Sequence, residues 1–124
     1  MVNLMIALGA FNAFLAVAAG AFAAHILKDT LTIEHLSVFK TAANYHLIHA
    51  IGLMVVGIIS RHTPDRCNYA SAIFMLCGII LFSGSLYALA LTQVKWLGMI
   101  TPIGGVCFLM AWLILGFNHL LDNK

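Results

Sequence analysis

Residues 39–50 read FKTAANYHLIHA, and the fold follows from what happens inside these twelve positions. Lys40 is the last charged side chain before a run that stays free of Asp, Glu, Lys and Arg until Arg61. Roughly 20 such residues, at about 1.5 Å each, cross about 30 Å of hydrocarbon as a helix. The stretch is therefore where a surface-lying helix turns into a membrane span. It also carries His46 and His49, three residues apart and so on neighbouring directions of one helical face. Ionisable groups inside a span need partners or a purpose.

The rest of the chain repeats the pattern. Apolar residues make up 63% and charged residues 8% of the sequence, whereas soluble domains average about 25% charged. Charge-free runs cover residues 1–24, 41–60, 67–94 and 96–121. The expectation is an all-α integral membrane protein, one domain over residues 1–124. It has four antiparallel transmembrane helices, at about 4–24, 41–60, 69–91 and 96–118, and an amphipathic interfacial helix leading into span two. A formal net charge of +2 argues for no nucleic-acid partner, which leaves membrane lipid. Cys67, Cys77 and Cys107 show no CxxC spacing and read as small apolar filler, with no metal site or cofactor implied.

In span one, Ala21-Phe22-Ala23 has the form of a signal-peptide cleavage site, but no Lys or Arg precedes the apolar run, so the segment reads as retained. Gly9, Ala13, Ala16, Gly20 and Ala24 form a small-residue face. It predicts close contact with another span or with a second copy in a homo-oligomer. Thr32 reads as an N-cap, with Glu34 in the first turn where its charge suits the helix dipole. Ile33, Leu36, Phe39 or Lys40, and Ala43 then step along one side, opposite Glu34, Ser37, Thr41 and Asn44. Continuing that side reaches His46, which predicts that His46 faces protein. Pro64 marks the turn after span two. The short connection 92–95 makes spans three and four antiparallel neighbours. Pro102 either kinks span four or starts it behind Thr101 as N-cap, and residues 118–124 read as a polar tail.

With four spans both termini share one side. His46, His49, Ser83 to Ser85 and Gly104-Gly105 then lie about 10 Å from the opposite edge, with His25 above them. The candidate ligand-binding layer is His25, Tyr45, His46, His49, Ser83, Ser85 and Thr101, with Gly20, Gly84, Gly104 and Gly105 as packing positions. His49 is expected to be neutral and hydrogen-bonded to Ser83, Ser85 or Thr101. Three readings follow: a structural or accessory protein held together by the layer, a ligand, metal or proton site, and an enzyme. No carboxylate lies within a span to orient a histidine and no G-x-S-x-G motif occurs, which disfavours the enzyme and leaves no catalytic residue to name. His46 and His49 on one helix cannot ligate both faces of one haem. Orientation by positive charge is a tie: Arg61, Arg66 and Lys124 on the terminal side against Lys28, Lys40 and Lys95 on the loop side.

Four blocks, GAFAAH (20–25), FKTAANYHLIHA (39–50), LFSGSLYALAL (81–91) and TPIGG (101–105), make the chain resemble a family of small four-span bacterial inner-membrane proteins of unknown function, with a mitochondrial relative in animals. The resemblance implies a four-helix membrane fold and termini in the cytoplasm. His25 and His49 fit its motif. Ala23 stands where the family commonly has Gly, and His46 where it commonly has Gln. Because an amide is a poor ligand beside imidazole, that last departure speaks against an obligatory metal site using both histidines.

Overall fold

The computed structural model describes residues 1–121. Helix α1 (Val2–His25) ends in a short 3-10 turn (Leu27–Asp29) and is followed by α2 (Ile33–His62). The third span is composite: α3 (Arg66–Gly78), a π-helical stretch (Ile79–Gly84) and α4 (Ser85–Thr92). A second 3-10 turn (Lys95–Met99) leads into α5 (Thr101–Leu121). The described residues are all-helical, and four segments are long and apolar enough to cross a membrane: Val2–Asp29, Ile33–His62, Arg66–Thr92 and Lys95–Leu121. Of the expected polar tail, residues 122–124 lie outside the described residues, and Asn118 to Leu121 belong to α5.

The 30-residue α2 is the organising element. At about 1.5 Å per residue it is about 45 Å long, more than the hydrocarbon needs, so its first turns lie at the interface. Thr32 caps it from an extended conformation, its hydroxyl accepting from the His35 N–H at 3.2 Å. The helix then runs without a break through residue 41. Its buried positions, Phe39, Ala42, Ala43, His46, His49, Ala50, Gly52, Leu53, Val56, Gly57 and Ser60, follow a helical spacing of three to four residues. That spacing puts one stripe of the helix against protein and leaves Ile48, Ile51, Val55 and Ile58 outside. Ile33 departs from the expected apolar side: it is 91% exposed and Lys40 is exposed too, because the inward direction at this level runs through Phe39 and Ala43.

Around α2, α1 packs along one flank and α3 and α4 along another, while α5 packs chiefly on α3 and the π-helical stretch. Two apolar clusters result. Met5, Leu53, Val56, Ala72, Met75 and Ala111 meet towards the terminal side. Ala23, Leu27, Phe39 and Ala90 meet towards the loop side. His46 and His49 fall between Phe39 and Leu53 on α2, so the polar layer is sandwiched between the clusters.

The close helix approaches fall mostly on other glycines than those expected. A Cβ at Gly9 would lie 2.8 Å from the Ala50 carbonyl oxygen and 2.9 Å from the Met54 nitrogen, so α1 and α2 touch backbone to backbone there. One at Gly104 would overlap the Leu81 and Phe82 backbone. By contrast, a Cβ at Gly20 would meet nothing within 4 Å, and at Gly84 or Gly105 only ordinary contacts at 3.7–3.9 Å. Only part of the small-residue face of α1 is inward: Gly9 and Ala16 are buried, and Ala24 is exposed. Pro102 starts α5 rather than kinking it, since its missing N–H falls in the first turn where no intrahelical partner exists.

Candidate functional site: a histidine layer beside an apolar groove

The buried stripe of α2 turns His46 and His49 inward, at 6% and 4% exposure. Each imidazole then uses both nitrogens. His46 Nε2 is 3.0 Å from Asn12 Oδ1 on α1, and His46 Nδ1 is 3.1 Å from the Tyr87 hydroxyl on α4. The Asn12 amide nitrogen donates to the Leu8 carbonyl at 2.8 Å, which leaves its oxygen to accept. His46 therefore donates through Nε2–H, and Tyr87 donates to Nδ1.

His49 carries the other tautomer. Its Nδ1 lies 2.7 Å from the Tyr45 carbonyl, which can only accept, so Nδ1 is the protonated nitrogen. Its bare Nε2 accepts from Trp112 Nε1–H on α5 at 3.1 Å. The ring is stacked on Phe108 with centroids 3.4 Å apart. Expected partners of His49 were Ser83, Ser85 and Thr101, and the structure corrects this. The third and fourth spans close on each other instead: Thr101 Oγ1 is 2.6 Å from Ser85 Oγ, which itself donates to the Phe82 carbonyl at 3.0 Å. Thr101 is thus a cross-span partner rather than a cap. Ser83 is fully buried, and its hydroxyl has no hydrogen-bond partner among the described residues.

His25 is not brought to the layer. Asn12 stands opposite His46, so His25, thirteen residues further along α1, lies about 20 Å beyond that level and is exposed at the helix end. Asn12 and Trp112 are participants that sequence reasoning missed. Each left a signal, Asn12 as a lone amide deep in an apolar run and Trp112 as an indole N–H needing an acceptor inside the membrane. Tyr87 was visible in the LFSGSLYALAL block but unassigned.

Tyr45 faces the other way. It is 43% exposed and lines a groove of about 570 Å³ between α2 and α5, with Ile48, Pro102, Val106, Leu109 and Trp112 as walls and Phe82 as floor. Its ring lies 4.7 Å from that of Phe82, centroid to centroid. Among the described residues no three His, Cys, Asp or Glu side chains gather as a metal-binding set. Chemically the arrangement is a closed set of neutral hydrogen bonds next to an open apolar groove.

Residues 19–105 match the family described as "Protein of unknown function (DUF423)". The chain is 50% identical over 113 residues to a UPF0382 membrane protein of Staphylococcus epidermidis, covering 91% of this chain and 92% of that one. It is 48% identical over 113 residues to the UPF0382 membrane protein SAB0533 of Staphylococcus aureus, with the same coverage. It is 44% identical over 114 residues to the UPF0382 membrane protein YwdK of Bacillus subtilis, covering 91% and 93%. No solved structure matches. Four apolar helices, the TPIGG turn packed on the LFSGS backbone and this extent of identity together make the chain a multi-pass membrane protein of the DUF423 family, to which the bacterial UPF0382 membrane proteins are its relatives.

Proposed function

We propose that the protein is a non-catalytic structural or accessory protein of the bacterial inner membrane, with both termini in the cytoplasm, and that its histidine layer acts as an interhelical clamp. The observation that carries this reading is that all four imidazole nitrogens of His46 and His49 are engaged within the protein, reaching α1, α4, α5 and the α2 backbone. Among the described residues the two bare ring nitrogens, His46 Nδ1 and His49 Nε2, already accept hydrogen bonds, which leaves no free lone pair for a metal. A site built on His25 and His49, the rival reading, is disfavoured by the exposure of the first and the burial of the second. The orientation rests on the family resemblance, because the charge tally is even.

Elemental analysis and an absorbance scan of detergent-purified protein test the clamp. The expected result is no stoichiometric metal or haem in the wild type, with His46→Gln folding normally. A stoichiometric metal lost in His49→Gln would overturn the proposal. Reporter fusions after Lys124 test the orientation, and a periplasmic signal would reverse it.

A further inference from the structure

A second cavity, of about 410 Å³, lies on the loop side and differs in chemistry from the apolar groove. One wall is the start of α2, with Glu34, His35 and Val38. The other is the end of α4 and the connection after it, with Leu89, Gln93 and Lys95. Gln93 is in the left-handed conformation, φ 60°, and its N–H closes on the Leu89 carbonyl at 2.8 Å, which ends α4 and fixes how the connection leaves it. The two walls thus bring one carboxylate and one ammonium to a single cavity. They do not pair with each other: among the described residues no Lys or Arg nitrogen lies within 4.0 Å of an Asp or Glu oxygen. His35 Nδ1 is 2.8 Å from the Thr32 hydroxyl, and with that hydroxyl donating to it the ring presents Nε2–H as a further donor.

The two charges select the ligand. A simple anion drawn to Lys95 would face the Glu34 carboxylate across the same cavity, and a simple cation drawn to Glu34 would face the Lys95 ammonium. A molecule carrying both signs satisfies both walls. We propose that this cavity binds a small zwitterion in which a primary ammonium and a phosphate are joined by a short hydrocarbon link, the chemistry of phosphoethanolamine, either free or as the headgroup of phosphatidylethanolamine. Glu34 accepts from the ammonium, and Val38 and Leu89 lie against the methylenes. Three donors, the Lys95 ammonium, the Gln93 amide and His35 Nε2–H, then stand against one acceptor. That ratio suits the several oxygens of a phosphate better than the two of a carboxylate. The volume lies within the range of small-molecule sites. Neither His46 nor His49 lines this cavity, so the clamp stands or falls separately.

The test is calorimetric titration of detergent-purified protein with phosphoethanolamine, beside native mass spectrometry with added 1-palmitoyl-2-oleoyl-phosphatidylethanolamine. At least one of the two should bind at one copy per chain. Retention of the lipid assigns the headgroup as the source, and binding of the free compound without the lipid assigns a soluble one. Glu34→Gln and Lys95→Gln should each weaken binding about tenfold or more, the worth of one charge-assisted hydrogen bond, with unchanged melting temperatures. Lys95→Arg should restore it. Lys40→Gln, an exposed lysine of α2 outside the cavity, should bind like wild type. No binding of either compound would overturn the proposal, as would equal binding by wild type, Glu34→Gln and Lys95→Gln. Equal affinity for inorganic phosphate or phosphatidylglycerol would overturn it by showing an anion site, and equal affinity for β-alanine by showing that the phosphate is not read.

Discussion

His46 donates to Asn12 across the α1–α2 contact, 3.0 Å from Nε2 to Oδ1, while the Asn12 amide nitrogen is tied to its own helix at Leu8. The required function at position 46 is therefore one donor towards α1 and one acceptor towards Tyr87. A glutamine side chain supplies the same pair, so Gln at position 46 would keep both contacts.

His46→Gln should melt close to wild type in detergent. His46→Leu should lose about 1–2 kcal/mol, because it leaves Asn12 Oδ1 and the Tyr87 hydroxyl without their partner inside the protein. Equilibrium unfolding by steric trapping reads the difference. Equal losses in both variants would show that position 46 is packing alone.

Trp112→Phe removes the indole N–H and strands His49 Nε2, while keeping a ring in place. A double-mutant cycle with His49→Leu, which removes the acceptor, should give a coupling of about 0.6 kcal/mol, with an upper bound near 1.7, the range of interhelical hydrogen bonds in membranes. A coupling of zero would mean that the 3.1 Å contact contributes nothing to stability.

Two glycines to alanine should behave oppositely. Gly104→Ala sets a methyl into the backbone of Leu81 and Phe82, which cannot swing aside, and should cost about 1–3 kcal/mol or more. Gly20→Ala meets open space and should be neutral or stabilise by up to about 1 kcal/mol through helix propensity. Melting temperatures of the two variants decide the matter.

Ala16 is 2% exposed against α2. Ala16→Ile should therefore lower the stability of the monomer itself by about 1–3 kcal/mol. A dimer cross-link that disappears in this variant without any loss of monomer stability would instead place a second copy on that face.

The span count and the cap at Thr32 were legible because they depend on charge and on local backbone chemistry, both written in the chain. His46 facing inward was legible from the spacing Ile33, Leu36, Phe39 and Ala43, although Ile33 itself is exposed. What could not be read was the rotation of α1 and α5 about their own axes. These helices are apolar almost all round, so no polar face announces which side meets protein. Asn12 and Trp112 find their acceptors only once that rotation is set. The same loss of information misplaced Gly20: a small residue permits close approach but does not say whether a neighbour is there.

The π-helical stretch Ile79–Gly84 carries one residue more than an α-helix of equal turns would hold. It acts as a phase shifter in the third span. Everything after it is turned by roughly 100° relative to an uninterrupted α-helix, since one residue spans that angle. Tyr87 meets His46, and Ser85 meets Thr101, only in that shifted phase. The chemistry of the layer thus depends on a count as well as on residue types: one residue fewer between Ile79 and Gly84 would leave every partner in the sequence and point α4 elsewhere.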